Sequence, residues 1–138
     1  MSGMIDRLCA TLEPVGYLLL RIVVGANLVA HGWPKWEAGV ARFATGLAQR
    51  GIEPSMPFAY LVVALEVIGG ALIVLGLFTR PVAAVATFHL AFIAYWILGS
   101  MGYARWEYPA MWAVALFFVT LRGSGPMSLD ALLFRRGR

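Results

Sequence analysis

Residues 57–78 read PFAYLVVALEVIGGALIVLGLF, a run in which Glu66 is the only charged side chain. At a helical rise of about 1.5 Å per residue the run is about 33 Å long, which is enough to cross a hydrocarbon core of about 30 Å. Three further apolar segments flank it, at 15–31, 81–98 and 106–121. Each approaches or exceeds the ~17–20 residues that a span requires. Of the 138 residues, 61% are hydrophobic and 13% charged. Soluble domains carry roughly a quarter charged residues, so this composition cannot cover a water-facing surface, and a bilayer is the natural solvent. The length allows a single domain, 1–138.

The turns set the order of the spans. Thr79-Arg80-Pro81 leaves almost no linker between the second and third spans, and Gly99 to Arg105 makes another short turn before the fourth. The predicted architecture is an all-α membrane protein, a four-transmembrane-helix bundle running up-down-up-down. Pro14 suits the first turn of span one, where a missing N–H costs nothing. Its other end reads His31-Gly32-Trp33-Pro34 and lacks a small-residue cleavage site, so the segment is expected to be a permanent span rather than a signal peptide.

Between spans one and two, Trp36, Val40, Phe43 and Leu47 recur at helical spacing opposite Glu37, Arg42, Gln49 and Arg50. An amphipathic helix over about 36–50 is predicted, lying in the headgroup layer or over the mouth of the bundle and stopped by Gly51. After Arg122, the run Gly123-Ser124-Gly125-Pro126-Met127 breaks the chain. Ser128-Leu129-Asp130 then reads as a cap and first turn of a short C-terminal helix whose basic end rests on an anionic leaflet.

The formal charge of +4 does not point to nucleic acid, because most basic residues stand singly at the ends of apolar segments. Arg7, Arg80, Arg122, Arg135, Arg136 and Arg138 fall on the side of the termini, and Lys35, Arg42, Arg50 and Arg105 on the other. This asymmetry favours cytoplasmic termini. Trp33, Trp36, Tyr60, Tyr95, Trp96, Tyr103, Trp106 and Tyr108 gather near the opposite boundary as an aromatic belt. Cys9 is the only cysteine, which excludes an internal disulfide and a CxxC redox pair.

Arg21, Glu66 and His89 interrupt three different spans. A charge at mid-helix costs about 2.5–3.5 kcal/mol on insertion scales, so each requires a partner, water or a route to the interface. Counted from the segment ends, Arg21 and His89 lie about 9 and 12 Å from one side and Glu66 about 14 Å from the other, so a common layer is expected. Two purposes fit that layer. One is an Arg21–Glu66 ion pair that fixes helix register. The other is a site in which Glu66 and His89 exchange protons, or Arg21 and His89 donate to the carbonyl of a lipophilic ligand. Asn27 and His31, at i and i+4, join Lys35 and Glu107 as a candidate outer mouth. His31 and His89 differ in depth by about 12 Å, too far for axial ligands of one haem. No local spacing such as HExxH suggests a metal.

The ordered set Arg21, Gly25, His31-Gly32-x-x-Lys35, Glu66-x-x-Gly69-Gly70, Gly76-x-x-Thr79-Arg80, His89 and Gly123-x-Gly-x-x-Ser128-x-Asp130 resembles the DoxX family, from about Leu18 to Leu133. Arg21, His31, Lys35, Glu66 and Asp130 fall on the family's recurrent pattern. The resemblance implies a four-span bacterial inner-membrane protein associated with membrane redox systems. The related DoxD proteins form the membrane subunit of a thiosulfate:quinone oxidoreductase, and some DoxX proteins are reported in assemblies linked to oxidative-stress resistance. The expected function is a quinone-linked or lipophile-binding membrane subunit, at most the membrane part of an oxidoreductase. No flavin, haem or metal site is evident and quinone is the cofactor candidate, so electrons would come from a redox partner subunit. The alternatives are a structural or assembly subunit and, further off, a small transporter, and a homo-oligomer stands beside the redox subunit as a candidate partner.

Overall fold

The computed structural model describes residues 2–134; the predicted basic tail of Arg135, Arg136 and Arg138 lies outside the described residues. Within that range all regular structure is helical. Helix α1 runs Ser2–Glu37, α2 Val40–Ala48, α3 Ser55–Leu75, α4 Thr79–Ile97, α5 Tyr103–Arg122 and α6 Leu129–Phe134. Three of these, α1 from Gly3, α3 and α4, are long and apolar enough to cross a membrane. The fourth predicted segment is also helical, as α5, but Arg105, Glu107 and Pro109 in its first half set it apart from the other three.

Helix α1 departs most from expectation. It begins at Ser2 instead of near Pro14, and it continues through both Pro14 and Pro34 to Glu37. Met4, Ile5, Leu8 and Leu12 keep a helical apolar stripe going ahead of Pro14, so the proline loses one hydrogen bond without ending the helix. At the other end the Ala38 N–H donates to the Pro34 carbonyl at 2.9 Å, and the chain breaks only at Gly39, with φ of 89°. Trp36 therefore belongs to α1 and is exposed. Helix α2 is correspondingly shorter than 36–50, and its face of Val40, Ala44 and Leu47 packs on Ala59 and Val63 of α3.

Helix α3 and α4 form the predicted hairpin. Gly76 (φ 71°) ends α3, and Phe78, left-handed at φ 49°, leads into α4. The turn is fastened by α6: the Phe78 N–H donates to the Asp130 carboxylate at 3.1 Å, and the Asp130 N–H to the Gly76 carbonyl at 3.0 Å. Ser128 caps α6 as predicted, its Oγ accepting from the Ala131 N–H. The main core lies between α1, α3, α4 and α5, with Val24, Leu28, Ile73, Ala86 and Leu116 at its centre.

Glycines bring α1 and α3 into backbone contact. A Cβ on Gly25 would lie 2.6 Å from the Gly70 carbonyl oxygen, and one on Gly70 would lie 2.6 Å from that of Gly25. Small residues permit this approach, and in a bilayer such packing replaces the hydrophobic effect as the force joining helices. Gly25→Ala is therefore expected to destabilise the detergent-solubilised protein by about 1–3 kcal/mol. Gly16, with nothing near its missing Cβ, is the control. Gly16→Ala should leave thermal unfolding unchanged or slightly raised.

Candidate functional site

Glu66 sits where α3 loosens. Residues Leu65–Gly69 form a π-helical turn between two α-helical stretches, and a second π-turn, Ile93–Ile97, follows His89 on α4. Such turns recur at functional sites because the extra residue re-aims neighbouring side chains. Opposite Glu66 on α1 stands Gly32, where a Cβ would lie 2.6 Å from the Glu66 Cβ. That gap lets Lys35, one turn further along α1, reach over the carboxylate.

Glu66 is 2% exposed. Its Oε2 accepts from Lys35 Nζ in a close ion pair, and its Oε1 lies 3.4 Å from His89 Nε2. Three helices thus meet on one carboxylate. The Lys35 and His89 side chains keep 26% and 14% exposure. Lys35 Nζ also lies 5.1 Å from the ring centre of Phe43, which places α2 beside the cluster. The arrangement can hold a charged carboxylate inside the bundle and pass a proton between Oε1 and the imidazole.

Arg21 does not join Glu66. Its Nη1 donates to the Ser124 carbonyl, and its Nη2 to those of Met127 at 2.7 Å and Val74 at 3.4 Å. Nε is buried without a partner. The expected common layer fails because Gly32, eleven residues on, is what stands level with Glu66, so Arg21 lies about 16 Å away along the axis of α1. Counting depth from Pro14 had used a helix end that does not exist. Beside Arg21, the Tyr17 hydroxyl donates to the Gly123 carbonyl, and Arg122 pairs with Glu13 while lying over the Tyr17 ring at 4.3 Å.

The predicted mouth also divides. Asn27 and His31 do share a polar connection, but through Tyr108 of α5. The Tyr108 hydroxyl donates to Asn27 Oδ1 at 2.8 Å and lies 3.4 Å from His31 Nε2. Lys35 leaves the mouth for Glu66. Glu107 is exposed and takes part in none of these bonds. Tyr108 was missed as a site residue because its position in the aromatic belt already accounted for it. One turn further along α5, Trp112 carries a buried indole N–H with no hydrogen-bond partner. An apolar groove of about 630 Å³ between α1 and α3, lined by Ala26, Ala30, Trp33, Ala71 and Leu75 among others, contains none of the polar cluster.

Apolar helices of lipid-spanning length, folded around a buried carboxylate and a buried guanidinium, define a polytopic helical membrane protein. The chain belongs to the DoxX family, whose profile matches residues 16–99. That stretch holds Arg21, Asn27, His31, Lys35, Glu66 and His89 and ends before Tyr108 and Asp130. A relative from Bacillus subtilis (strain 168), named "Putative oxidoreductase CatD", is 31% identical over 88% of this chain and 89% of its own length. A Haemophilus influenzae protein without a functional name is 26% identical over 90% of this chain and 95% of its own. No solved structure matches the chain.

The two buried charges should behave independently. Lys35→Met leaves Glu66 without its main counter-charge, and breaking such a pair costs about 3–5 kcal/mol. Adding Glu66→Gln should recover much of that loss in thermal unfolding of the detergent-solubilised protein. Combined with Arg21→Gln, Lys35→Met should instead add within about 0.5 kcal/mol, since the groups share no partner.

Proposed function

We propose that the chain crosses the bacterial inner membrane four times with both termini in the cytoplasm, and acts as the quinone-linked, lipophile-binding membrane subunit of a redox system. The observation that carries this reading is the Glu66 carboxylate, buried at a π-turn and shared between Lys35 and His89. Holding an ionised acid in a bilayer is costly, and intramembrane ionisable groups point to proton or ligand handling by default. The name of the Bacillus subtilis relative supports a redox setting.

Support for the fourth span comes from α5. Its 20 residues extend about 30 Å. Met111, Val114, Phe117, Phe118 and Leu121 expose an apolar surface along the second half of that length, which suits lipid better than water.

A bound quinone would supply carbonyl groups that take up protons when reduced. The protein's own part is to hold and move those protons. His89, the more accessible member of its pair with Glu66, exchanges a proton at Nε2 with Glu66 Oε1, and Lys35 keeps the carboxylate in place when the imidazole turns away. The unpartnered Trp112 Nε1–H is a fixed donor suited to a carbonyl oxygen. Arg21 has no place in this scheme. Its closed set of backbone carbonyls favours the scaffold reading for that residue.

Protein purified from membranes is expected to retain quinone on solvent extraction and to bind a soluble short-chain quinone analogue. Glu66→Gln and His89→Phe should each weaken binding about tenfold, the cost of one hydrogen bond to a charged group, and abolish the redox phenotype. Arg21→Lys should lower stability and leave binding intact. Absence of quinone in both assays, together with an unchanged phenotype for Glu66→Gln, would overturn the proposal in favour of a structural or assembly subunit.

A further inference from the structure

At the end of the bundle furthest from Glu66, the α3–α4 turn and the α5–α6 connection enclose an open cleft of about 780 Å³. Its wall includes Thr79, Arg80, Arg122, Gly123, Ser124 and Asp130. Thr79 is 1% exposed, and its hydroxyl has no hydrogen-bond partner. A buried hydroxyl left unpaired forfeits its hydration without a compensating bond, so its persistence calls for an explanation.

Three further observations give one. Thr79 opens α4, and the Thr79 and Arg80 N–H groups of its first turn have no partner among the described residues: the Asp130 carboxylate meets only the Phe78 N–H just before them, Pro81 has no N–H, and the Val82 N–H bonds to the Phe78 carbonyl. Arg80 lies across Gly123, where a Cβ would come within 2.7 Å of Arg80 Nε, so the glycine (φ 83°) keeps open the space that the guanidinium occupies. The charges also fail to cancel. Glu13 answers Arg122, and the Phe78 N–H answers Asp130, the one carboxylate in the wall. Arg80 forms no ion pair among the described residues.

We propose that this cleft binds a phosphate group, with the Thr79 hydroxyl and the Arg80 guanidinium as its main donors and Arg122 at the rim. An uncapped helix N-terminus, a buried hydroxyl and a planar guanidinium together form a set of donors matched to a tetrahedral oxyanion. Two sources carry that group: the headgroup of an anionic phospholipid, and a phosphate in solution. Leu132, Leu133 and Phe134, exposed on α6 beside the cleft, form an apolar edge suited to acyl chains and favour the lipid. The site is separate from the Glu66 cluster and independent of the redox reading.

Thermal unfolding in a zwitterionic detergent tests the proposal, with short-chain phosphatidylglycerol, short-chain phosphatidylcholine and inorganic phosphate as separate titrants. Phosphatidylglycerol should raise the transition and phosphatidylcholine should not. Thr79→Val and Arg80→Gln should each weaken the apparent affinity about tenfold, as expected for loss of one hydrogen bond to a charged group. Arg105→Gln, at the opposite end of the bundle, should have no effect. Thr79→Val replaces an unpaired hydroxyl with a methyl group of the same shape, so the variant should fold at least as well as the native chain. Competition by millimolar inorganic phosphate would identify a soluble ligand, and its absence a lipid headgroup. The proposal is overturned if neither phosphatidylglycerol nor inorganic phosphate stabilises the native protein, if Thr79→Val binds phosphatidylglycerol like the native chain, or if Arg105→Gln weakens binding as much as Arg80→Gln.

Discussion

The structure depends on how closely α1 and α3 approach. With Gly25 set against Gly70 and Gly32 against Glu66, the two backbones touch at two levels about 10 Å apart along α1. The upper contact brings Lys35 within reach of Glu66. The lower one brings Arg21 toward the carbonyl end of α3 at Val74. If Gly25, Gly70 or Gly32 were larger the helices would separate, and both charged side chains would lose partners that sit on other elements. The small residues therefore act on the electrostatics of the bundle through distance alone.

The bundle neutralises its two buried charges by different means. Glu66 is met by ionisable side chains on two other helices, an arrangement that can change protonation. Arg21 is met by backbone carbonyls, which cannot titrate and are held in place by the α5–α6 connection. A guanidinium with a fixed charge and several donors suits such a cage, since it can satisfy carbonyls from separate segments at once. The difference is one of kind: side chains from other helices surround Glu66, and backbone carbonyls surround Arg21.

Much of this was legible in the sequence. The length of the apolar runs marked the helices, Thr79-Arg80-Pro81 marked the hairpin, and Ser128 marked the last cap. Glu66 and His89 stood out because charge within an apolar run is conspicuous. Their grouping was harder to read. Depth counted along a sequence assumes that a helix starts where its apolar stripe is cleanest and that every residue advances it equally. The long N-terminal extension of α1 breaks the first assumption, and the π-turns of α3 and α4 break the second. The partners of Arg21 left no trace at all, because every residue carries a carbonyl and residue type does not reveal which ones will be aimed inward. Tyr108 was hidden differently: its ring explained its position so well that its hydroxyl went unread.

The span of chain between Arg21 and its partners has a consequence for biogenesis. Ser124 and Met127 lie 103 and 106 residues downstream, so α1 must enter the bilayer long before the carbonyls that will hold its guanidinium have been synthesised. Until then the apolar neighbours of Arg21 must offset an insertion cost of about 2.5–3.5 kcal/mol. The α5–α6 connection is thus the clasp for the first helix, and a nascent protein truncated before Ser124 would leave Arg21 with the Val74 carbonyl alone, at 3.4 Å, a mark by which quality control could tell an unfinished bundle from a closed one.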